Sequence, residues 1–217
     1  MIVNHWKNMK STMVTSPQHK TGRKIPTIFN GQVLNNDNNK VEGTTWLTNI
    51  QIRTHCQRPT KSTHKVEVLG DSHLIGSAAV INQNLDEKYK VCSLTQPGAC
   101  TKQIVDSQEE VLNNLGKGDV IVINGGSNDI EEANGRVNGI LNLMVHFVQK
   151  YTNTNIVLVN IPYRHDLRKH DKKNLCIQNY NNKLKNITNI FQHVSLIETS
   201  SDWRLYTRHG FHLNRFG

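Results

Sequence analysis

The sequence predicts an α/β fold, a three-layer α/β/α sandwich built on a flavodoxin-like parallel sheet. Three observations predict it. Short, nearly all-apolar runs recur along the chain, as strands buried on both faces require. Segments with apolar residues at helical spacing alternate with those runs. Glycine, proline or asparagine closes several runs and so places turns at their ends.

The elements follow in order. Residues 66–69 form the first short apolar run, and residues 74 to about 85 are compatible with a helix. Residues 90–94 read as a second strand. Residues 101–115 carry Ile104, Val105, Val111, Leu112 and Leu115 at helical spacing and stop at Gly116. Residues 119–124 (DVIVIN) are a strongly β-branched third strand. Residues 137–151 read as a helix, with Ile140, Leu141, Met144, Val145 and Val148 along one side. Residues 156–161 (IVLVNI) are a fourth strand closed by Pro162, residues 175–190 a helix, and residues 194–198 a fifth strand. Crossovers between such strands are almost always right-handed. Ligands of such sheets bind outside the carboxyl ends of the strands.

Length and composition bound the rest. A chain of 217 residues accommodates one domain of ordinary size plus a tail. A mean hydropathy of -0.54 indicates that part of the chain does not pack. No run of about 18 apolar residues occurs, so no membrane span is expected. The first 30 residues lack a continuous apolar stretch, which argues against a secretory signal. Cys56, Cys92, Cys100 and Cys176 form no CxxC pair and are expected to be reduced thiols, in an intracellular protein, cytoplasmic or nuclear.

The net charge of +9 is uneven. Residues 1–65 hold ten Lys/Arg against two acidic residues, whereas residues 66–217 hold sixteen against fifteen. Residues 1–64 are therefore expected to be a basic, mostly disordered segment, and residues 65–217 the folded domain. A cationic tail on a near-neutral domain fits either a polyanionic partner or a solvated leader. Within the tail, the apolar patches 25–29 and 46–52 could each be a strand or a docking segment.

Chemistry is sought at the strand ends. Residues 70–73 (GDSH) follow the first strand. A serine there exposes its hydroxyl beside helix N–H groups that favour developing negative charge, although Ser and Asp also serve as ordinary N-caps. Gly98, in the loop after the second strand, would let backbone approach a ligand closely. The third strand ends in residues 125–129 (GGSND), where the Asn128 amide could donate to an oxyanion and where the same residue types also make turns. Residues 209–214 (HGFHLN) carry His212, which either folds back over the sheet edge or lies exposed. The charged loop 163–170 (YRHDLRKH) lies on the same edge, as a substrate entrance favouring acidic ligands or as a solvated loop. His165, His170, His209 and His212 lack any Cys–His spacing that marks a zinc site.

A serine, a backbone N–H, an amide and a histidine thus occur in order after successive strands. This order resembles the SGNH/GDSL hydrolases. Gly70-Asp71-Ser72-His73 is similar to their serine motif, Gly98 to the glycine of the second, Gly126-Ser127-Asn128-Asp129 to the G-x-N-D third, and His212 to the histidine of the last. The resemblance implies a serine esterase acting on a small ester through an acyl-enzyme. Ser72 would be the nucleophile and His212 the general base. The N–H groups of Ser72 and Gly98 and the Asn128 amide would form the oxyanion hole. No metal or organic cofactor is implied.

Two departures stand out. Family members usually carry Asp three residues before the histidine, where this chain has His209. Asp202 or Asp166 could substitute, the site could work as a Ser–His dyad, or it could be degenerate. Family members also continue past the histidine into a helix, so a domain truncated at its C-terminus, with a fraying terminus near His212, is expected. More narrowly, LGDSHLIGSA, QPGACT, INGGSND, IPYRHDL and RHGFHLN resemble esterase-like domains of arthropod genomes and of the first open reading frame of some non-LTR retrotransposons. That branch often lacks the Asp and carries a basic leader. It implies an alternative: a catalytically weak or inactive binding module that contacts nucleic acid through residues 1–65. No RNP motif, zinc knuckle or heptad repeat accompanies it.

Overall fold

The computed structural model describes residues 52–55, 63–132 and 137–217. The two apolar patches of the leader, apart from Ile52, lie outside the described residues, as does most of the basic segment. In chain order the elements are β1 (Ile52–His55), β2 (His64–Gly70), a 3₁₀ turn (Ser72–Leu74), α1 (Ser77–Asn84), β3 (Tyr89–Thr95), α2 (Thr101–Asp106), α3 (Glu109–Leu112), β4 (Val120–Asn124), α4 (Ser127–Glu132), α5 (Val137–Lys150), β5 (Asn155–Val159), α6 (Lys172–Ile190), β6 (Val194–Ile197) and a second 3₁₀ turn (Trp203–Leu205).

The strands form one sheet in the order β1-β3-β2-β4-β5-β6. β2 to β6 are all parallel, and their order is the flavodoxin-like one. β1 overlaps the expected patch 46–52 only at Ile52. It pairs antiparallel with β3, Ile52 opposite Thr95 and His55 opposite Cys92, and covers an otherwise open edge.

Alternation along each strand sorts the core by size. Leu69, Ile121, Ile123, Ile156 and Leu158 face a cluster that also contains Ile104, Met144, Phe147, Tyr180 and Leu184 from α2, α5 and α6. Val66, Val68, Val120, Val122, Val157 and Val159 face the other way, onto Leu74, Ala78 and Ile81 around α1. Successive side chains of a strand point to opposite faces, so a run such as VIVI serves both helical layers at once. Bulky Ile and Leu meet the larger layer, and the smaller valines meet the single helix.

The helices differ from the expected ones at their ends. The segment 101–115 is broken at Ser107, where the hydroxyl donates back to the Ile104 carbonyl at 2.7 Å. α6 begins three residues before the expected start because Asp171 caps it, accepting from the Lys173 N–H at 2.8 Å. Asparagines stitch the carboxyl edge of the sheet. Asn124 Nδ2 donates to the carbonyls of Val159 and Asn160, and Asn160 Oδ1 accepts from the N–H and hydroxyl of Thr199. The loops after the strands are thereby set on a rigid rim.

Candidate active site

β2 ends at Gly70, where the chain turns sharply. A Cβ at Gly70 would lie 2.8 Å from Leu74 Cδ1 and 3.2 Å from the Asn124 carbonyl oxygen, so the approach of these strands needs glycine. Asp71 then caps the 3₁₀ turn, its Oδ1 accepting from the His73 N–H at 2.9 Å. The turn presents Ser72 half-buried, with Oγ 3.0 Å from Nε2 of His212 across 140 residues of sequence.

Three loops are tied together around this turn. Gln96 N–H donates to the Gly70 carbonyl at 2.8 Å, joining the β3 loop to the β2 turn. Asn128 Nδ2 donates to the Ala99 carbonyl at 2.9 Å and lies 3.5 Å from Asp71 Oδ2. Asp129 Oδ2 accepts from both the N–H and the hydroxyl of Thr101, each at 2.8 Å. Gly98 adopts φ 78 and is exposed, with nothing within 4 Å of where a Cβ would sit. Among the described residues, the N–H groups of Ser72 and Gly98 donate to no protein acceptor.

Asp71 is fully buried, and burial, helped by the nearby Asp129 charge, pushes its carboxyl up to about 6. His73 moves the other way. Burial, with the neighbouring His212 and Arg164, holds it down at about 4, a neutral imidazole whose ring nitrogens have no partner among the described residues. His212 is also pushed below the ordinary histidine range, by burial and then by the Arg164 charge, which outweighs the opposing effect of Asp166.

The segment that carries His212 is pinned rather than frayed. Tyr206 is buried, donates its hydroxyl to the Ser200 carbonyl at 2.7 Å, and bridges to Leu213. Thr207 N–H donates to the His212 carbonyl at 2.8 Å. Asn214 Nδ2 donates to the carbonyls of Arg204 and Tyr206, and the Gly217 N–H donates to the Asn214 carbonyl. Gly210 adopts φ 71 and accepts from His165 N–H at 2.9 Å.

Neither candidate acid reaches the imidazole. Asp202 caps the second 3₁₀ turn, and both its carboxylate oxygens are taken by Arg204. Asp166 is held bidentately by Arg164, with contacts of 2.7 and 2.5 Å. His209 is exposed. Among the described residues no carboxylate hydrogen-bonds or ion-pairs with His212, and no three His, Cys, Asp or Glu side chains are grouped as metal ligands.

Sequence reasoning missed a cluster around Arg164. Its guanidinium pairs with Glu131 of α4 as well as Asp166, and Glu131 also pairs with Lys173 of α6. Burial opposes the Glu131 charge, but hydrogen bonds from Lys173 and Arg164 prevail and hold it below the usual carboxylate range. Arg164 lies over the Phe211 ring, 4.1 Å from its centroid. No spacing in the sequence joins positions 131, 164 and 211; only the charge density of the loop hinted at a role.

Protein-family models give no match to this sequence, and curated proteins give none. Solved structures do match. A member of the lipolytic protein G-D-S-L family from Veillonella parvula superposes with a TM-score of 0.58 at 15% identity, over 70% of this chain and 90% of that one. An acetylxylan esterase from Geobacillus stearothermophilus gives 0.57 at 13% identity, covering 70% and 88%. A lipase/acylhydrolase from Enterococcus faecalis gives 0.54 at 15% identity, covering 70% and 88%. The chain therefore has the α/β sandwich fold found in these lipolytic hydrolases.

Proposed function

We propose that this protein is a serine-dependent esterase or acyl hydrolase that acts on a small ester through an acyl-enzyme. The observation that carries the reading is the 3.0 Å contact between Ser72 Oγ and His212 Nε2 at the carboxyl edge of a parallel sheet. The similar structures include an acetylxylan esterase and a lipase/acylhydrolase, which supports the same chemistry.

A serine hydroxyl is a weak nucleophile at neutral pH and needs a base. His212 Nε2 takes the proton as Oγ attacks the acyl carbon. The carbonyl oxygen becomes an oxyanion, met by the uncommitted N–H groups of Ser72 and Gly98. The Asn128 proton that makes only a 3.5 Å contact with Asp71 is the third donor. His212 returns its proton to the leaving alkoxide. Water then repeats the cycle at the acyl carbon, with His212 as base again, and releases the acid and free Ser72. With no carboxylate of the described residues on the imidazole, the site acts as a dyad, and losing a triad acid typically costs on the order of 10⁴ in rate. Turnover is therefore slow. Hydrolysis of p-nitrophenyl acetate tests the reading: because triad losses are not additive, Ser72→Ala should lower the kcat of this dyad by about 100-fold. Equal rates for the two proteins would remove it.

A second reading has its own support: among the described residues no carboxylate contacts His212. In it the scaffold is a binding module of a retroelement protein, with its basic leader on nucleic acid. Arg168, Lys169 and Lys172 add cations around one open cleft. It predicts RNA binding that weakens steeply with salt and persists in Ser72→Ala. Unchanged RNA affinity after deletion of residues 1–50 would exclude it.

A further inference from the structure

We propose that Arg164 is a positioning residue for His212: its guanidinium, fixed by Glu131 and Asp166, clamps Phe211 and so holds the adjoining imidazole against Ser72, where no carboxylate among the described residues does so. The kinetic consequences rest on the acyl-hydrolase reading above; the placement of the ring does not.

Three rings pack together beside Ser72. Phe211 and His212 have centroids 4.4 Å apart, His73 and His212 5.1 Å, and His73 and Phe211 5.1 Å edge to face. His73 forms one wall of this group, and Arg164 caps it from the Phe211 side. An arginine stacks on an aromatic face through its planar, delocalised cation, a geometry that lysine does not reproduce.

The cap is itself immobile. Arg164 exposes only 14% of its side chain, and its guanidinium is held on three nitrogens by Glu131 and Asp166. Its backbone exchanges hydrogen bonds with buried Asn174 of α6, N–H to Oδ1 at 3.1 Å and Nδ2 to carbonyl at 3.0 Å. The next residue donates to Gly210, two positions before His212. In a usual triad the carboxylate orients the base at Nδ1. In this chain the ring faces, the preceding residue and the backbone do that work.

The charged and titratable groups around the imidazole are His73 from the β2 turn and Arg164 and Asp166 from the β5 loop. Removing the Arg164 charge leaves Asp166 unopposed. An imidazole NMR titration of the full-length protein, with His212 assigned through His212→Asn, follows the consequence directly. Arg164→Gln should move the His212 midpoint upward and broaden its ring signals. Arg164→Lys keeps a cation but loses the fork, so the midpoint should stay low. In ester hydrolysis its kcat should still fall about 10- to 100-fold with KM within about twofold. A merely structural role would lower the melting temperature and leave the ring order of His212 and the kcat of the folded fraction unchanged. A His212 ring order unchanged in Arg164→Gln, whether or not the midpoint moves, would overturn the proposal. If Ser72→Ala hydrolyses ester as fast as wild type, the acyl-hydrolase reading fails instead, and the titration still decides the positioning.

Discussion

Asp71 and His73 flank Ser72 with opposite electrostatic costs. Asp71 titrates in the fold at about 6 rather than 3.8, so its contribution to stability is full below about pH 4 and lost as pH rises through 6. His73 titrates at about 4 rather than 6.5, so its contribution is full above about pH 6.5 and lost as pH falls through 4. Each shift amounts to about 3 kcal/mol. From pH 5 to pH 7.5 the Asp71 contribution falls while that of His73 rises, so urea unfolding should show Asp71→Asn gaining more stability than wild type over that interval, by about 1 kcal/mol. His212 lies below the ordinary histidine range, so its neutral form is abundant at neutral pH. The acid limb of kcat/KM should have its midpoint below pH 6.5, and the rate should be flat from pH 7 to 8. Asn128→Ala should cost about 100- to 1000-fold in kcat. Ser72, Gly98, Asn128 and His212 could be singled out because each follows a strand in a known order. Arg164 could not, because a clamp that joins residues 131, 164, 166 and 211 leaves no local pattern.

At the level of elements, the parallel strands were legible because burial on both faces demands runs such as DVIVIN and IVLVNI. Their ends were less so. α4 takes in Ser127, Asn128 and Asp129 of the GGSND stretch, which read equally well as a turn, and it starts only after Gly126 turns the chain at φ 115. The long helix expected over 101–115 breaks because the Ser107 hydroxyl competes for a backbone carbonyl. β1 starts at Ile52, the last residue of a patch that could be a strand or a docking segment, and its continuation was not legible because Arg53, Thr54 and His55 carry no period of their own. The last loop depends on Gly210, where an added Cβ would lie 2.8 Å from the backbone of His165 and Asp166. Gly210→Ala combines that clash with a strained positive φ, an expected cost of about 1–3 kcal/mol. Its melting temperature should fall, and its ester hydrolysis should fall more than the folded fraction does, because the loop carries His212.

For the whole molecule, β1 ties residues 52–55, N-terminal to the segment expected to fold, to the edge of β3. The strand comes from the basic segment yet completes the sheet. Removing residues 1–50 keeps it, whereas removing residues 1–62 uncovers the edge of β3. Unpaired edges template association. Light scattering should find the shorter deletion monodisperse and the longer one self-associating. No helix among the described residues is long and apolar enough to cross a membrane. The central claim concerns one oxygen on this scaffold, and a fluorophosphonate probe addresses it directly. Intact mass and peptide mapping should find a single adduct on Ser72, formed much more slowly in His212→Ala. A probe that leaves Ser72 unmodified in folded wild-type protein, or that labels His212→Ala at the wild-type rate, would contradict the account.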